Sequence, residues 1–339
     1  MSIPIEEQNK LIEQFYFKRL YLSYSALNKF LYSPTTYYNQ YVLQLWEERT
    51  DSYLIDGKVI HCLLLDNGSF DQQFKLLPGN LPTGNTRTVV DKVYARYIRE
   101  DSKTREVKTL ASMETDIIEV LKEIGLHQAL KTDKQRIEKI VSTETESYWT
   151  FLETKGNRDL IDQETYDRCN ESVQILKANP TVYNLLGLGL TEFDEGYEVY
   201  NELLVSVDTT FNFGIKGIID NIKIDYFKKT IFINDLKTTG KTITEFQDTV
   251  QFYNYWMQAA IYTRLVFGQW FQQLTPDWKV QFTFIVIDKY NQVYPFEVSE
   301  ATMLSWQEKL EGKLQEFDWH YTNKDYSLPY AFLTGQIIL

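Results

Sequence analysis

Two aspartates and a lysine near the middle of the chain have the types and spacing that metal-assisted hydrolysis of a phosphodiester requires. Asp220 lies in one apolar, β-branched run, Asp235 ends the next, and Lys237 follows two residues later. Such runs predict neighbouring antiparallel strands, so we expect both aspartates to reach one cation and Lys237 to share the face of Asp235. Oxygen ligands in an incomplete cage suit Mg²⁺, and a lysine beside it can orient or deprotonate water. The alternative is that these strand-end groups are simply solvated, which is the commoner fate of an isolated Asp-x-Lys.

The segment after Lys237 predicts a long buried helix with one polar stripe. A turn at residues 238–242 precedes a helical pattern over 244–266, with Thr244 and Gln247 as a capping box. Spacings of 4, 3 and 4 residues place four side chains on one narrow stripe: Gln251, Tyr255, Gln258 and Tyr262. The other faces, including Phe252, are apolar, so we expect the stripe to face the metal site. The alternative is that the glutamines pair with backbone groups and the tyrosines fill the core.

In the order Gly217-x-x-Asp220, then Asp235-x-Lys237, then Gln258-x-x-x-Tyr262, these motifs resemble the PD-(D/E)XK nuclease superfamily. The helix after the lysine resembles that of the RecB-type branch, which carries a Gln-x-x-x-Tyr motif like Gln258 and Tyr262. The N-terminal segments 23–30, 33–38 and 57–65 are similar to exonuclease VIII (RecE-like) and related phage nucleases. The motifs cover roughly residues 20–66 and 197–300 of the chain.

The resemblance also implies the roles of the site residues. In the similar nucleases the histidine of a Gly-x-x-x-His helix is a metal ligand, which here would be His61 after Gly57. His61 would then join Asp220 and Asp235, and the Leu236 carbonyl would supply a further oxygen. The implied catalytic groups are Lys237, Gln258 and Tyr262.

Two candidate metal ligands, His61 and Glu198, also have a structural explanation. His61 is one of three histidines and lies on a leucine-rich segment, where a histidine commonly fills a structural role. Glu198 lies on a predicted strand before the aspartates and is either a further ligand or a solvated carboxylate. We therefore leave Glu198 outside the expected site.

Cysteine content and hydropathy limit the class of protein. Cys62 and Cys169 are too few and too distant for a zinc knuckle, a disulfide framework or the four-cysteine iron–sulfur cluster of some RecB-type nucleases. We therefore expect no iron–sulfur cluster and a reducing cytoplasm, which is the host cytoplasm if the gene is carried by a phage. The first seven residues do not form a signal peptide, and no apolar run approaches the 18 residues of a membrane helix.

The net charge of −12 argues against casual binding to nucleic acid, because affinity for a phosphate backbone comes mainly from lysine and arginine. Basic residues are nevertheless clustered, once over residues 87–108 and again around the expected site over 216–241. The clustering, and the charge of a bound cation, weaken the objection.

The pattern of elements predicts an α/β fold with a PD-(D/E)XK core, in which helices flank a mixed β-sheet, plus a helical insertion. Strands are expected at 197–207, 212–225, 230–236, 279–288 and 291–297. Helices are expected at 24–32, 34–48, 54–66, 110–126, 159–177 and 299–317, with a loop at 78–90. We divide the chain into residues 1–66, which carry the histidine motif, 67–180, and 181–339, which form the core sheet. The middle part is either an insertion that shapes a DNA channel or a helical cap.

The expected function is that of a metal-dependent deoxyribonuclease, with Mg²⁺ as the cofactor and Mn²⁺ able to replace it. The resemblance alone suggests an exonuclease that processes duplex ends for phage recombination or repair. Its expected partners are DNA, a single-strand annealing or recombination protein, and further copies of the chain; no membrane is expected. The alternatives are a structure-specific endonuclease of the same fold and a non-catalytic module that binds DNA or protein.

Overall fold

The computed structural model describes residues 4–45, 52–98, 108–191, 193–270 and 274–336. The chain forms two compact units, one of residues 1–67 with 171–339 and the other of residues 68–170. The sequence analysis placed the limits of its middle part at 67 and 180, and the interpretation of that part as an insertion stays a prediction.

The strands, in chain order, are β1 (Tyr21–Leu22), β2 (Phe74–Leu76), β3 (Asp159–Ile161), β4 (Tyr197–Asp208), β5 (Gly214–Asp225), β6 (Thr230–Thr239), β7 (Lys279–Asp288) and β8 (Val293–Val298). The helices are α1 (Ile5–Phe17), α2 (Tyr24–Tyr32), α3 (Pro34–Tyr37), α4 (Ser52–Leu65), α5 (Phe70–Gln73), α6 (Gly84–Tyr97), α7 (Glu114–Glu123), α8 (Asp133–Glu138), α9 (Thr143–Lys155), α10 (Gln163–Ala178), α11 (Pro180–Leu186), α12 (Phe246–Phe252), α13 (Tyr255–Trp270), α14 (Glu300–Asn323) and α15 (Tyr330–Leu333).

The first unit is built on a six-stranded mixed sheet with the order β1-β5-β6-β7-β8, in which β4 also pairs with β5. Strand β5 is antiparallel to both β4 and β6, whereas β6 and β7 are parallel. One edge of β5 pairs with β4 along most of its length, while the other edge meets β1 at Gly214–Ile215 and β6 at Asn221–Asp225. Between these two pairings β5 and β6 separate, and this opening contains Asp220.

Helices on the sheet bury the central strands, which explains their β-branched sequences. Strands β5 and β6 are largely inaccessible, as expected for strands that are covered on both faces. The largest core cluster joins the sheet to α13 and α14 through Trp256, Phe284 and Phe317. Burying one such side chain stabilises the fold by about 1.5–3 kcal/mol. The predicted α/β class, with a mixed sheet flanked by helices, is confirmed.

The second unit has a core of its own. Its helices α6, α7 and α9 bury a cluster that includes Val90, Leu121 and Trp149. A short parallel pair, β2 with β3, also lies in this unit.

Four predicted elements differ from the structure in their type or bounds, and a fifth is interrupted. Residues 34–48 form an α-helix only to Tyr37 and then a π-helical turn at Tyr38–Val42; residues 46–48 lie outside the described part of the chain. The predicted loop at 78–90 ends early because α6 begins at Gly84, where buried valines at helical spacing outweigh the turn residues. The first residues of the predicted helix at 159–177 form β3 instead, and the one at 110–126 begins as a 3₁₀ turn and is helical over Glu114–Glu123.

The predicted helix at 244–266 is interrupted. A 3₁₀ turn at Ile243–Glu245 leads into α12, and α13 starts only at Tyr255. Asn254 has a left-handed backbone with φ of 57°, which ends the first helix. The capping box is formed by Thr242 and Glu245 and not by Thr244 and Gln247.

Candidate active site

Asp220 lies where β5 and β6 separate, and it bridges the opening. Its Oδ2 accepts a hydrogen bond of 2.8 Å from the backbone N–H of Leu236, a residue of β6 beyond the last pairing of the two strands. Asp220 is 8% exposed. The bond orients the Leu236 peptide and holds Asp220 at the opening between β5 and β6, where other elements can reach it.

Helix α4 brings His61 to this opening because Gly57 permits a close approach to β6. A Cβ atom on Gly57 would lie 3.1 Å from Thr238 Oγ1. One turn further along the helix, His61 Nε2 lies 2.9 Å from the Leu236 carbonyl oxygen. His61 Nδ1 lies 3.7 Å from Asp220 Oδ2. The Gly-x-x-x-His spacing therefore has a packing reason: the glycine admits the strand and the histidine reaches its backbone.

Glu202 completes a compact group that the sequence analysis missed. Its Oε1 lies 3.6 Å from His61 Nδ1, and one ligand atom each of His61, Glu202 and Asp220 lie within 4.8 Å of one another. In the β4–β5 register Glu202 falls opposite Asp220, between the pairs Asn201–Asn221 and Leu203–Ile219. Its φ of 48° is left-handed, a strained conformation for a non-glycine residue that is common at functional sites. Cross-strand register with Asp220 is the signal that could have identified it.

Glu198, the acid considered from the sequence, is engaged elsewhere. It lies opposite Ile224, near the far end of β5. Its carboxylate accepts hydrogen bonds from the hydroxyls of Tyr200, at 2.6 Å, and Tyr226, at 2.8 Å. These bonds give the carboxylate a structural role on β4.

The electrostatics of the group favour a cation. Burial alone would lower the pKa of His61, but the carboxylates of Asp220 and Glu202 outweigh it and raise the pKa to about 9. Two carboxylates, the Leu236 carbonyl and, once a cation displaces its ring proton, the imidazole are donors that Mg²⁺ or Mn²⁺ accepts. The residues present therefore fit a divalent cation.

A second group of contacts surrounds Asp235. The side chain is fully buried, its Oδ2 lies 2.6 Å from Lys237 Nζ, and its Oδ1 accepts a 2.8 Å hydrogen bond from Gln258 Nε2. The same Gln258 Nε2 lies 3.1 Å from the Tyr262 hydroxyl. Asp235 thus contacts Lys237 and Gln258 rather than the three-residue group, and its role as a metal ligand stays a prediction.

Burial and charge act against each other at Asp235 and Lys237. Burial raises the pKa of Asp235 to about 6, while the ammonium group of Lys237 works to lower it. Burial works to lower the pKa of Lys237, but the carboxylates of Asp235 and Asp220 raise it above its ordinary value. The arrangement is therefore that of a buried ion pair, in which Lys237 carries its proton.

The polar stripe expected on one helix is divided between two. Gln251 is exposed on α12 and lies outside the site, so its inclusion in a single stripe was wrong. On α13, the ring of Tyr255 packs against the Lys237 ammonium group, whose Nζ lies 4.8 Å from the ring centre. Gln258 donates to Asp235 and lies next to the Tyr262 hydroxyl. Tyr262 packs against Gly217, where an added Cβ would come within 2.7 Å of its ring.

Comparison with known proteins bears on the identity of this site. A model of the PD-(D/E)XK nuclease superfamily matches residues 21–324. No curated protein matches the sequence. Among solved structures, a candidate exonuclease from Eubacterium rectale shares 11% identity, with a TM-score of 0.47 over 97% of this chain and 90% of that chain. The protein SSO0001 shares 12% identity, with a TM-score of 0.23 over 72% of this chain and 94% of that chain. Both structural similarities are distant, so the family model carries the assignment.

Proposed function

Because the chain belongs to the PD-(D/E)XK nuclease superfamily, we propose that it is a divalent-metal-dependent deoxyribonuclease that hydrolyses phosphodiester bonds. One observation carries the proposal. His61, Glu202 and Asp220 converge where β5 and β6 separate, directly beside the Asp235–Lys237 ion pair. Anionic and neutral donors for a cation thus lie next to a cationic side chain, and hydrolysis of a phosphodiester needs both.

The cation would be held by His61, Glu202, Asp220 and the Leu236 carbonyl, with Asp235 as a further expected ligand. When bound, a divalent cation polarises the phosphodiester and makes a coordinated water more acidic. We propose Mg²⁺ as the ordinary ion and Mn²⁺ as a substitute, since an imidazole ligand favours Mn²⁺ over Mg²⁺.

The remaining residues position and stabilise. Lys237 keeps its ammonium group at the site through Asp235, and from there it donates to a non-bridging phosphate oxygen. Gln258 donates to Asp235, and its buried Oε1 has no hydrogen-bond partner in the described part of the chain, so it can accept a hydrogen bond from the attacking water. The Tyr262 hydroxyl accepts a hydrogen bond of 3.1 Å from Gln258 Nε2 and so orients the amide.

A surface next to the site supports DNA as the substrate. Alternation along β5 places Ile218 and Lys216 on the face of Asp220, and Ile218 is 51% exposed. An open cleft of about 390 Å³ lies beyond them and is lined by Lys18, Arg19 and Lys216. Lys18, Arg19 and Lys216 come together in this one cleft, where Arg19 also pairs with Asp208 at 2.8 Å, and lysine and arginine are the residues that bind a phosphate backbone.

The type of nuclease is a further part of the proposal. An exonuclease that acts on duplex ends in phage recombination, together with a single-strand annealing protein, follows from the N-terminal resemblance alone. A structure-specific endonuclease uses the same site. The presence of His61, Asp220, Asp235 and Lys237 together argues against a non-catalytic module, because a decayed site would have lost at least one of them.

The test is cleavage of end-labelled linear and closed circular DNA, with Mg²⁺, with Mn²⁺ and with a chelator. We expect cleavage only with a divalent ion, its loss in Asp220→Asn, and no change in Asp194→Asn, where an exposed loop aspartate is altered in the same way. His61→Ala should recover in part with excess Mn²⁺. Full cleavage by Asp220→Asn would refute the site. Survival of circles supports an exonuclease, and their nicking supports the endonuclease.

A further inference from the structure

The break between α12 and α13 leaves two aromatic rings on the surface. Phe252 is 75% exposed and Tyr253 is 46% exposed. Their ring centres are 4.9 Å apart and their planes meet at 88°, so the two rings form a corner. Single exposed apolar residues are ordinary on protein surfaces, but adjoining aromatic rings beside a polar site are informative.

These rings connect to the proposed site. Tyr253 stacks on Tyr255 with centres 5.5 Å apart and an interplanar angle of 26°, and Lys237 Nζ lies 4.8 Å from the centre of the Tyr255 ring. At the outer end, Lys241 Nζ lies 5.9 Å from the centre of Phe252. A row of rings thus runs from the surface to Lys237, with a cation at each end.

The backbone under the rings is firmly held. The Tyr253 carbonyl accepts hydrogen bonds from the Tyr24 hydroxyl, at 2.5 Å, and from Asn28 Nδ2, at 3.5 Å. Asn254 Nδ2 donates to Asn28 Oδ1 at 2.8 Å, and Asn254 Oδ1 accepts from Trp256 Nε1 at 3.0 Å. Helix α2 therefore fixes the break, and the exposure of the two rings follows from a determined backbone conformation.

We propose that Phe252 and Tyr253 form a stacking platform for an unpaired nucleobase next to the scissile phosphate. The proposal rests on the proposed nuclease function and extends it to a substrate class, single-stranded DNA or the frayed end of a duplex. Every base has a π-face, so stacking on aromatic side chains holds a strand without regard to sequence. Lysines at both ends of the row match the phosphates of a polyanion, which favours a nucleic acid over an apolar protein surface as the occupant.

The experiment measures binding of a single-stranded dT₁₂ oligonucleotide in Ca²⁺, by fluorescence anisotropy and without turnover. We expect Phe252→Ala and Phe252→Leu to weaken binding about tenfold, within the range for one stacked base. Phe252→Trp keeps an aromatic ring and should bind about as tightly as the unaltered protein. Leucine keeps apolar area but lacks a π-face, so it separates stacking from simple apolar contact. Phe332→Ala, which removes another exposed ring, should bind as the unaltered protein does.

A second arm uses dT₁₂ oligonucleotides with one abasic site at successive positions. At one position the missing base should weaken binding by the unaltered protein about tenfold and leave binding by Phe252→Ala unchanged, because both changes remove the same contact. Unchanged binding by Phe252→Leu, or equal abasic effects in both proteins, would overturn the platform. A protein without nuclease activity that passes both arms refutes the proposed function and keeps the platform, whereas an active nuclease that fails them does the reverse.

Discussion

Glu202 and Glu198 lie four residues apart on β4, and their carboxylates have different surroundings. Glu202 faces His61 and Asp220, whereas Glu198 is satisfied by two tyrosine hydroxyls. Whether a glutamate could belong to the proposed metal site therefore depends on its partners and not on its residue type. The two residues form a natural matched pair for a test.

We predict that Glu202→Gln lowers the affinity for Mn²⁺ and Glu198→Gln does not. Losing a residue that only supports a ligand commonly costs about 10–100-fold in metal affinity, so losing a ligand should cost at least as much. Isothermal titration calorimetry of both variants measures the difference. Equal affinities would show that the cation binds elsewhere.

His320 is a buried histidine far along the chain from His61, Glu202 and Asp220. It is fully inaccessible, its Nδ1–H donates to the Asp325 carbonyl, and its ring lies 4.9 Å from that of Phe30. Burial lowers its pKa below the ordinary 6.5, against the opposing effects of the Asp325 hydrogen bond and of the Asp325 and Glu316 charges. The folded protein therefore holds this ring neutral where the unfolded chain would protonate it.

We predict that the protein loses stability through His320 as the pH falls below about 6.5. Below that pH the unfolded chain binds a proton on this histidine and the folded protein does not. The free energy of unfolding therefore decreases by at most about 1.4 kcal/mol per pH unit. His320→Asn keeps a donor for Asp325 but does not titrate. Urea unfolding between pH 7 and 5 should show a shallower loss in the variant, and parallel curves would contradict the prediction.

Among the elements, the sequence predicted best what depends on local pattern. The apolar runs of β5, β6 and β7 and the capped helix α2 are encoded by neighbouring residues. The break before α13 was missed because Asn254 is stabilised there by Asn28, a residue of α2 that is distant in sequence. Glu202 was not predicted as a site residue for the same reason, since its position opposite Asp220 exists only once β4 and β5 have paired.

Gly217 shows how two elements determine the position of a site residue. Its lack of a side chain lets Tyr262 of α13 pack on β5, and Tyr262 in turn contacts Gln258. The Gly-x-x-Asp motif of Gly217 and Asp220 therefore combines a packing position with a proposed metal ligand.

We predict that Gly217→Ala destabilises the protein by about 1–3 kcal/mol, as overpacking of a core does. Its Cβ would lie 2.7 Å from the Tyr262 ring, so α13 or the ring must shift, and cleavage should fall with it. Gly312→Ala is the control with the opposite sign: no heavy atom lies within 4 Å of its added Cβ, and an exposed alanine favours helix α14 by up to about 1 kcal/mol. Urea midpoints measure both. An unchanged midpoint for Gly217→Ala would mean that the interface adjusts freely.

At the scale of the whole molecule, the net charge of −12 is compatible with a polyanionic substrate, because most of the carboxylates can be screened from it by the solvent. Charges further apart than about 8 Å are largely screened at physiological ionic strength, so the lysines beside the site affect a bound strand more than remote carboxylates do.

Among the described residues, none of the helices combines the length and the hydropathy of a membrane span.

The proposed cation ligands lie in one of the two units. Within the described part of the chain, the residues that could hold a cation, His61, Glu202 and Asp220, all belong to the unit of residues 1–67 and 171–339. The unit of residues 68–170 has its own buried cluster, and extending it to residue 178 completes helix α10. A fragment of residues 68–178 therefore has a core without these ligands.

We predict that this fragment unfolds cooperatively and gains no stability from Mn²⁺, whereas the full chain does. A ligand that binds only the folded state stabilises it by about 2.7 kcal/mol at one hundred times its dissociation constant. Thermal unfolding of both proteins, with Mn²⁺ and with a chelator, measures the gain, and Trp149 reports on the fragment. A fragment without a cooperative transition would mean that its core depends on the rest of the chain. Equal stabilisation of both proteins would mean that scattered carboxylates bind the ion, because the fragment lacks every residue of the site.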